Sequence, residues 1–207
     1  MNLILGNLTL LKSAVLPAAL RTGTDWDVAL AALASGVAAA MEGFCNRKFA
    51  RLVGDTFERS ANCTYLSLPR FPVESIASIE LKVDEQQGFI ALPSNTVLTL
   101  NKASGLAEFG SSIGGFTDRL RATYTGGFYA DYTEDSSGTI PVGATAVPPD
   151  LLHAWHLQVQ HEIEATNLLR GVAAKRSADK QDRIIESAEL KLIARVREML
   201  RLFVRFS

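Results

Sequence analysis

The chain has 207 residues, 47% apolar and 21% charged, with a net charge of −1. That composition excludes a disordered or fibrous chain and suits a globular protein able to bury a core without metals or disulfides. Near-neutral charge gives no global attraction to nucleic acid or an anionic membrane. Two cysteines, Cys45 and Cys63, stand in no zinc-binding spacing and read as free thiols.

The first residues resemble a signal peptide in their apolar content. However, they lack a basic start, and Asn7, Thr9, Lys12 and Ser13 interrupt the run, so secretion is not expected. Thr9 is positioned to cap a short helix through Leu10, Leu11 and Ala14, which Pro17 would stop. From a cap at Thr24 or Asp25, a second helix places Trp26, Leu30, Leu33, Val37, Met41 and Phe44 on one stripe. Its remaining positions are largely alanine, which favours helix and lets a neighbour approach closely. No stretch reaches about 18 uninterrupted apolar residues, so no membrane span is expected.

From residue 52 the period changes. Segments 56–58, 64–68, 76–83, 96–100, 106–109 and 120–124 read as strands, separated by Pro69, Pro72, Gly88, Pro93, Gly105 and the glycine-rich stretch 110–115. Short spacings imply antiparallel hairpins. The polar stretch 129–147 reads as a long mobile loop.

Pro148 and Pro149 open a third helix to about Arg170, with proline in the first turn. At 100° per residue it has two opposed apolar faces, Leu152, Trp155, Val159 and Ile163 against Ala154, Leu157, Ala165 and Leu168, with His161 among the latter. A helix apolar on two opposed sides is either sandwiched inside the fold or shared with a second subunit, and in the latter case Leu157, His161 and Leu168 would meet that subunit. A last helix is expected over about 179–204, carrying Ile185, Ala188, Leu192, Val196, Met199 and Phe203. At 1.5 Å per residue it would be roughly 39 Å long and would project. Residues 171–207 hold nine Lys or Arg against five Asp or Glu, a local excess of four positive charges. Arg197, Arg201 and Arg205 follow one another at steps of four and form a basic ridge. It complements the helix dipole and could also dock an acidic partner. On this reading, deleting residues 195–207 leaves the fold intact and removes only the docking surface. The expected fold class is therefore α+β, a core of about four helices with an antiparallel β-rich middle. It forms a single domain over 1–207: helical front 1–50, β-rich portion 51–128, loop 129–147 and helical rear 148–207.

Catalytic motifs are scarce. Gly110-Ser-Ser112-Ile-Gly114 matches the nucleophile-elbow pattern, but it lies between antiparallel strands where the elbow needs a strand-to-helix turn. His153, His156 and His161 cluster on one helix without the i, i+4 pair and third ligand that zinc requires. No phosphate-binding or dinucleotide fingerprint is present. No catalytic residue, cofactor or metal site is expected.

Several segments, in order, are similar to the head–tail connector (adaptor) family of tailed phages and gene transfer agents. They are Met41-Glu-Gly-Phe-Cys45-Asn-Arg-Lys-Phe49, Leu66-Ser-Leu-Pro69, Pro72-Val-Glu-Ser-Ile76-Ala-Ser-Ile79, Tyr124-Thr-Gly-Gly-Phe128 and Val147-Pro-Pro-Asp150-Leu-Leu. The resemblance implies a non-enzymatic virion protein assembled in the host cytoplasm. It would form a ring of about twelve copies below the portal, extending the DNA channel without sequence-specific binding and carrying the stopper or tail. It also implies that the C-terminal segment reaches the portal, making Arg197, Arg201, Phe203, Arg205 and Phe206 the expected docking residues. Residues 85–118 exceed the compact members. Other readings are a stopper or tail-completion subunit, a nucleic-acid-binding module built on the basic helix, and a hydrolase using Ser112.

Overall fold

A computed structural model describes residues 2–84, 86–130, 138–166 and 190–205. The fold class is α+β, and the chain divides into two compact units. A helical one is built from 1–45, 131–138 and 147–204, and a β one from 46–130, 139–146 and 205–207.

In the helical unit, β1 (Asn2–Leu3) and β2 (Gly6–Asn7) form a small antiparallel hairpin. It leads into α1 (Leu8–Val15). The cap is Asn7 and not Thr9: the Asn7 Oδ1 accepts the Leu10 amide at 2.8 Å, satisfying one of the amides a helix start leaves orphaned. Lys12 of α1 is buried, donating to the Gly23 carbonyl at 2.7 Å and pairing with Asp27. Then comes α2 (Asp27–Cys45), which buries Leu30, Ala31, Ala34, Val37, Ala38, Met41 and Cys45. Phe44, expected on the buried stripe, is exposed. Among the described residues α2 is the one helix whose length and hydropathy would let it cross a bilayer. Its alanine side is instead packed within the unit, where Trp155 is fully buried and donates its indole N–H to the Ala34 carbonyl at 3.0 Å.

α3 (Pro149–Ala165) starts at the expected proline pair and packs on α1, α2 and the last helix, α4 (Ala194–Leu200). α4 is the main correction to the sequence reading. It has seven residues, about 10 Å at 1.5 Å per residue, and a single 3₁₀ turn at Arg201–Phe203 follows it. Residues 190–193 are not helical. The cause is Gln158, wholly buried on α3. Its Nε2 donates to the Lys191 carbonyl at 3.3 Å and its Oε1 accepts the Ile193 amide at 2.9 Å. One side-chain amide thus takes both backbone groups out of any helical ladder and holds the segment extended. Leu192, Val196 and Leu200 are buried in the unit's core, so α4 is a packing element and not a projecting rod. Deleting 195–207 would therefore open that core, contrary to the sequence expectation. Residues 179–189 of the expected helix lie outside the described residues.

The β unit follows the alternation closely. All six expected segments are strands: β3 (Leu52–Ser60), β4 (Cys63–Ser67), β5 (Val73–Lys82), β7 (Val97–Asn101), β8 (Leu106–Ile113) and β9 (Arg119–Gly126). With the short β6 (Ile90–Ala91) they form two antiparallel sheets, ordered β3-β9-β5-β6 and β4-β8-β7. Alternate residues of both sheets, among them Leu66, Leu68, Ile79, Ala107, Phe109, Leu120, Ala122 and Tyr124, build one core. For side chains such as these the driving term is burial of apolar surface, worth about 25 cal/mol per Å². A short parallel pair joins β10 (Phe128–Tyr129) to β11 (Thr145–Ala146), placing a strand inside the stretch expected to be loop. Gly127 makes this turn possible: it has φ +97°, and an added Cβ would lie 2.5 Å from the Ala50 carbonyl oxygen.

Candidate functional site

The candidate site is a set of surfaces. On α4 and the turn after it, Arg197 and Arg201 are exposed, and Arg201 pairs with Glu198 at 3.0 Å. Phe203 is half-buried. Arg205 is placed otherwise than the step-of-four ridge requires. The helical geometry ends at Phe203, and Val204 is extended. The Arg205 guanidinium is clasped in the β unit, where Nε donates to Ser67 Oγ at 2.9 Å and Nη2 to the Ser67 carbonyl at 2.6 Å. It also lies 5.7 Å from the Phe57 ring centre. Burial lowers its pKa, the expected direction for a cation taken partly out of water. Arg205 is thus a fastener of its own chain, and the ridge reduces to Arg197 and Arg201. Phe206 lies outside the described residues.

A shallow groove of about 350 Å³ opens beside α4, lined by Ala40, Phe44, Leu190, Lys191, Leu192 and Arg197. It exists because α2 is built of small residues: a Cβ added at Gly36 would meet Leu190 Cδ1 at 3.2 Å. The extended segment pinned by Gln158 thus lies close against the helix.

On α3 the two-faced reading is half met. Trp155, Val159 and Ile163 are buried, together with Leu151, Ala154 and Gln158. Ala154 sits with the core because it neighbours Leu151 and Gln158 around the helix. The opposite arc is open, with Leu157 half-buried and His161 and Ala165 exposed. Leu168 lies outside the described residues. His156 has its pKa lowered, first by burial and then by neighbouring His153.

Among the described residues, the chemistry-bearing side chains do not converge. Ser112 stands in β8, in a stretch where the antiparallel register with β4 is interrupted, and its hydroxyl donates to Asn62 Oδ1 at 3.0 Å. No strained strand-to-helix turn presents it. Among the described residues, no three His, Cys, Asp or Glu side chains gather as a metal site. Cys45 is buried and Cys63 half-buried, and neither is in a disulfide.

No family model matches the sequence, and no curated protein matches it. Solved structures do. A chain in the virion of a native gene transfer agent particle superposes with a TM-score of 0.58 at 17% identity, covering 96% of this chain and 88% of that one. A chain in the neck of an empty gene transfer agent particle, computed with C6 symmetry, gives 0.52 at 18% identity, covering 89% and 81%. The fold is shared with gene transfer agent particle chains. At this identity the likeness establishes the fold, and it spans nearly the whole length of both partners, helical and β portions alike.

Two features of this gene-transfer-agent-like fold had no flag in the sequence. One is a polar cluster at the edge of the β core. Arg70 Nε pairs with Asp55 Oδ2 at 2.8 Å, and the Tyr124 hydroxyl meets the same oxygen at 3.2 Å while accepting the Arg70 amide at 3.2 Å. Burial, then the Asp55 charge, pushes the Tyr124 pKa well up. The second is Phe116, in the turn that carries the chain from β8 in one sheet to β9 in the other, and 88% exposed. The available signal was a large aromatic set among Gly114, Gly115 and Thr117, where turn chemistry has no use for it.

Proposed function

We propose that the chain is a structural subunit of a virion neck, a head–tail adaptor that forms a ring below the portal, extends the DNA channel and carries the stopper or tail. The observation that carries this reading is the fold likeness over 96% of the chain to a gene transfer agent particle component, with a second likeness to a neck chain. The ordered connector-like segments from Met41 to Leu152 agree with it. A neck of sixfold symmetry accommodates a ring of about twelve copies. The reading assigns the chain no catalytic step and no cofactor, a location in the virion, and DNA passing through without base readout.

Within this reading Arg197, Arg201 and Phe203, with Phe206 beyond them, form the portal-docking end. Leu157, His161 and Leu168 form part of the contact between copies. Arg205 contributes indirectly, by anchoring the chain end on Ser67.

The test mixes purified chain with its portal and images the product by electron microscopy. The expected result is an added annular layer below the portal, with co-sedimentation lost in an Arg197→Glu/Arg201→Glu variant that still folds. A chain that ignores the portal but binds an already completed neck would be a stopper or tail-completion subunit, and the adaptor reading would fail.

A further inference from the structure

We infer that the Phe116 turn between β8 and β9, the tip of one copy, seats in the groove lined by Ala40, Phe44, Leu190 and Leu192 of the next copy. The inference rests on the ring reading above and adds the residues that would link one copy to another.

The tip is built to present its aromatic ring. Gly114 takes φ +66°, and a Cβ there would lie 2.8 Å from Ala61 Cβ and 2.9 Å from Leu81 Cδ1. The Asp118 carboxylate accepts the Gly115 amide at 2.7 Å, while the Asp118 amide donates to the Gly115 carbonyl at 3.3 Å. On the other side, the Asp118 carbonyl accepts the Ala61 amide at 2.9 Å. A lone exposed apolar residue is ordinary on a protein surface. A phenylalanine 88% exposed on a turn closed from both sides is a preorganised anchor, because little entropy is lost when it is buried.

The groove has the complementary chemistry. Its apolar lining includes Phe44, itself exposed, and its volume of about 350 Å³ lies at the small end of concave binding sites. That suits one large side chain better than a peptide. Two exposed cations, Lys191 and Arg197, flank it. Cations beside an apolar slot favour an aromatic occupant over an aliphatic one, because the ring face is electronegative. An aromatic knob and a matching slot on different patches of one chain make a head-to-tail contact. Such contacts close into rings when the rotation per copy permits.

The test has two arms. Phe116→Ser should keep the wild-type melting temperature, since the ring touches little of its own chain, yet weaken self-association in the portal-bound layer at least about tenfold. In a Cys63→Ser background, mixing Phe116→Cys chains with Ala40→Cys chains under mild oxidation should give a disulfide-linked dimer. Neither variant alone should give one. Normal assembly by Phe116→Ser overturns the inference. So does weakened assembly without the mixed dimer, which would assign the tip to the portal or tail instead. If the wild-type chain forms no ring even on its portal, it is the adaptor reading that fails.

Discussion

The helical and β units reach stable cores by opposite routes. The β unit is almost one continuous stretch, 46–130, in which neighbouring strands supply each other's backbone partners. The helical unit gathers pieces from both ends of the chain, and its last piece is a seven-residue helix held by Gln158 and a few apolar side chains. Many paired backbone groups along continuous ladders make the first tolerant of single losses. The second depends on a few long-range contacts, and those are where it should break.

The largest effect is expected at Leu200, which is fully buried on α4. Leu200→Ala should cost about 2–5 kcal/mol through lost burial and the cavity left behind. Helical circular dichroism should melt earlier while the sheet signal persists. Equal loss of both signals would mean that the two units unfold as one. Next is Asp55→Ala, which strands the Arg70 guanidinium and the Tyr124 hydroxyl in a partly buried site. A cost of about 2–4 kcal/mol is expected in urea unfolding. The same variant with Arg70→Met should recover part of it. A smaller effect, about 1–3 kcal/mol, is expected for Gln158→Leu, which keeps the volume but leaves the Lys191 carbonyl and Ile193 amide unmet. Hydrogen exchange at Ile193 should accelerate, and an unchanged rate would remove the amide clamp from the account.

The smallest effect is the pH response of His156. Its folded pKa lies below the ordinary 6.5, so the unfolded chain takes up the proton first. The contribution to stability is present above about pH 6.5 and lost as pH falls through the folded value. His156→Gln should flatten the melting temperature between pH 7 and 5, whereas an unchanged slope would locate the response elsewhere.

How far the sequence was legible follows the same division. Strand alternation marked all six long strands of the β unit because each has one buried face, and period 2 records that directly. Periodicity also found α2 and α3. It extended the last helix too far because an apolar stripe such as Leu192, Val196 and Met199 cannot reveal that a glutamine thirty residues away will claim the backbone at 191–193. The basic ridge failed at Arg205 for a related reason, since a step of four has meaning only while the helix continues. The open arc of α3 at Leu157 and His161 was legible from the helical wheel alone. The Phe116 tip and its groove were not, because the groove joins residues 40–44 to 190–197 and appears only on folding.

The split make-up of the helical unit also has a consequence for synthesis. When Ala130 has been added, every strand of the two larger sheets already exists, yet Val196 and Leu200 are still some seventy codons away. At about 5–20 residues per second that is a delay of several seconds. Through about the first half of it α2, with its long apolar side, lacks both α3 and α4, and through the rest it still lacks α4. A chaperone attending the nascent chain would find its target there, in the segment made first and enclosed last.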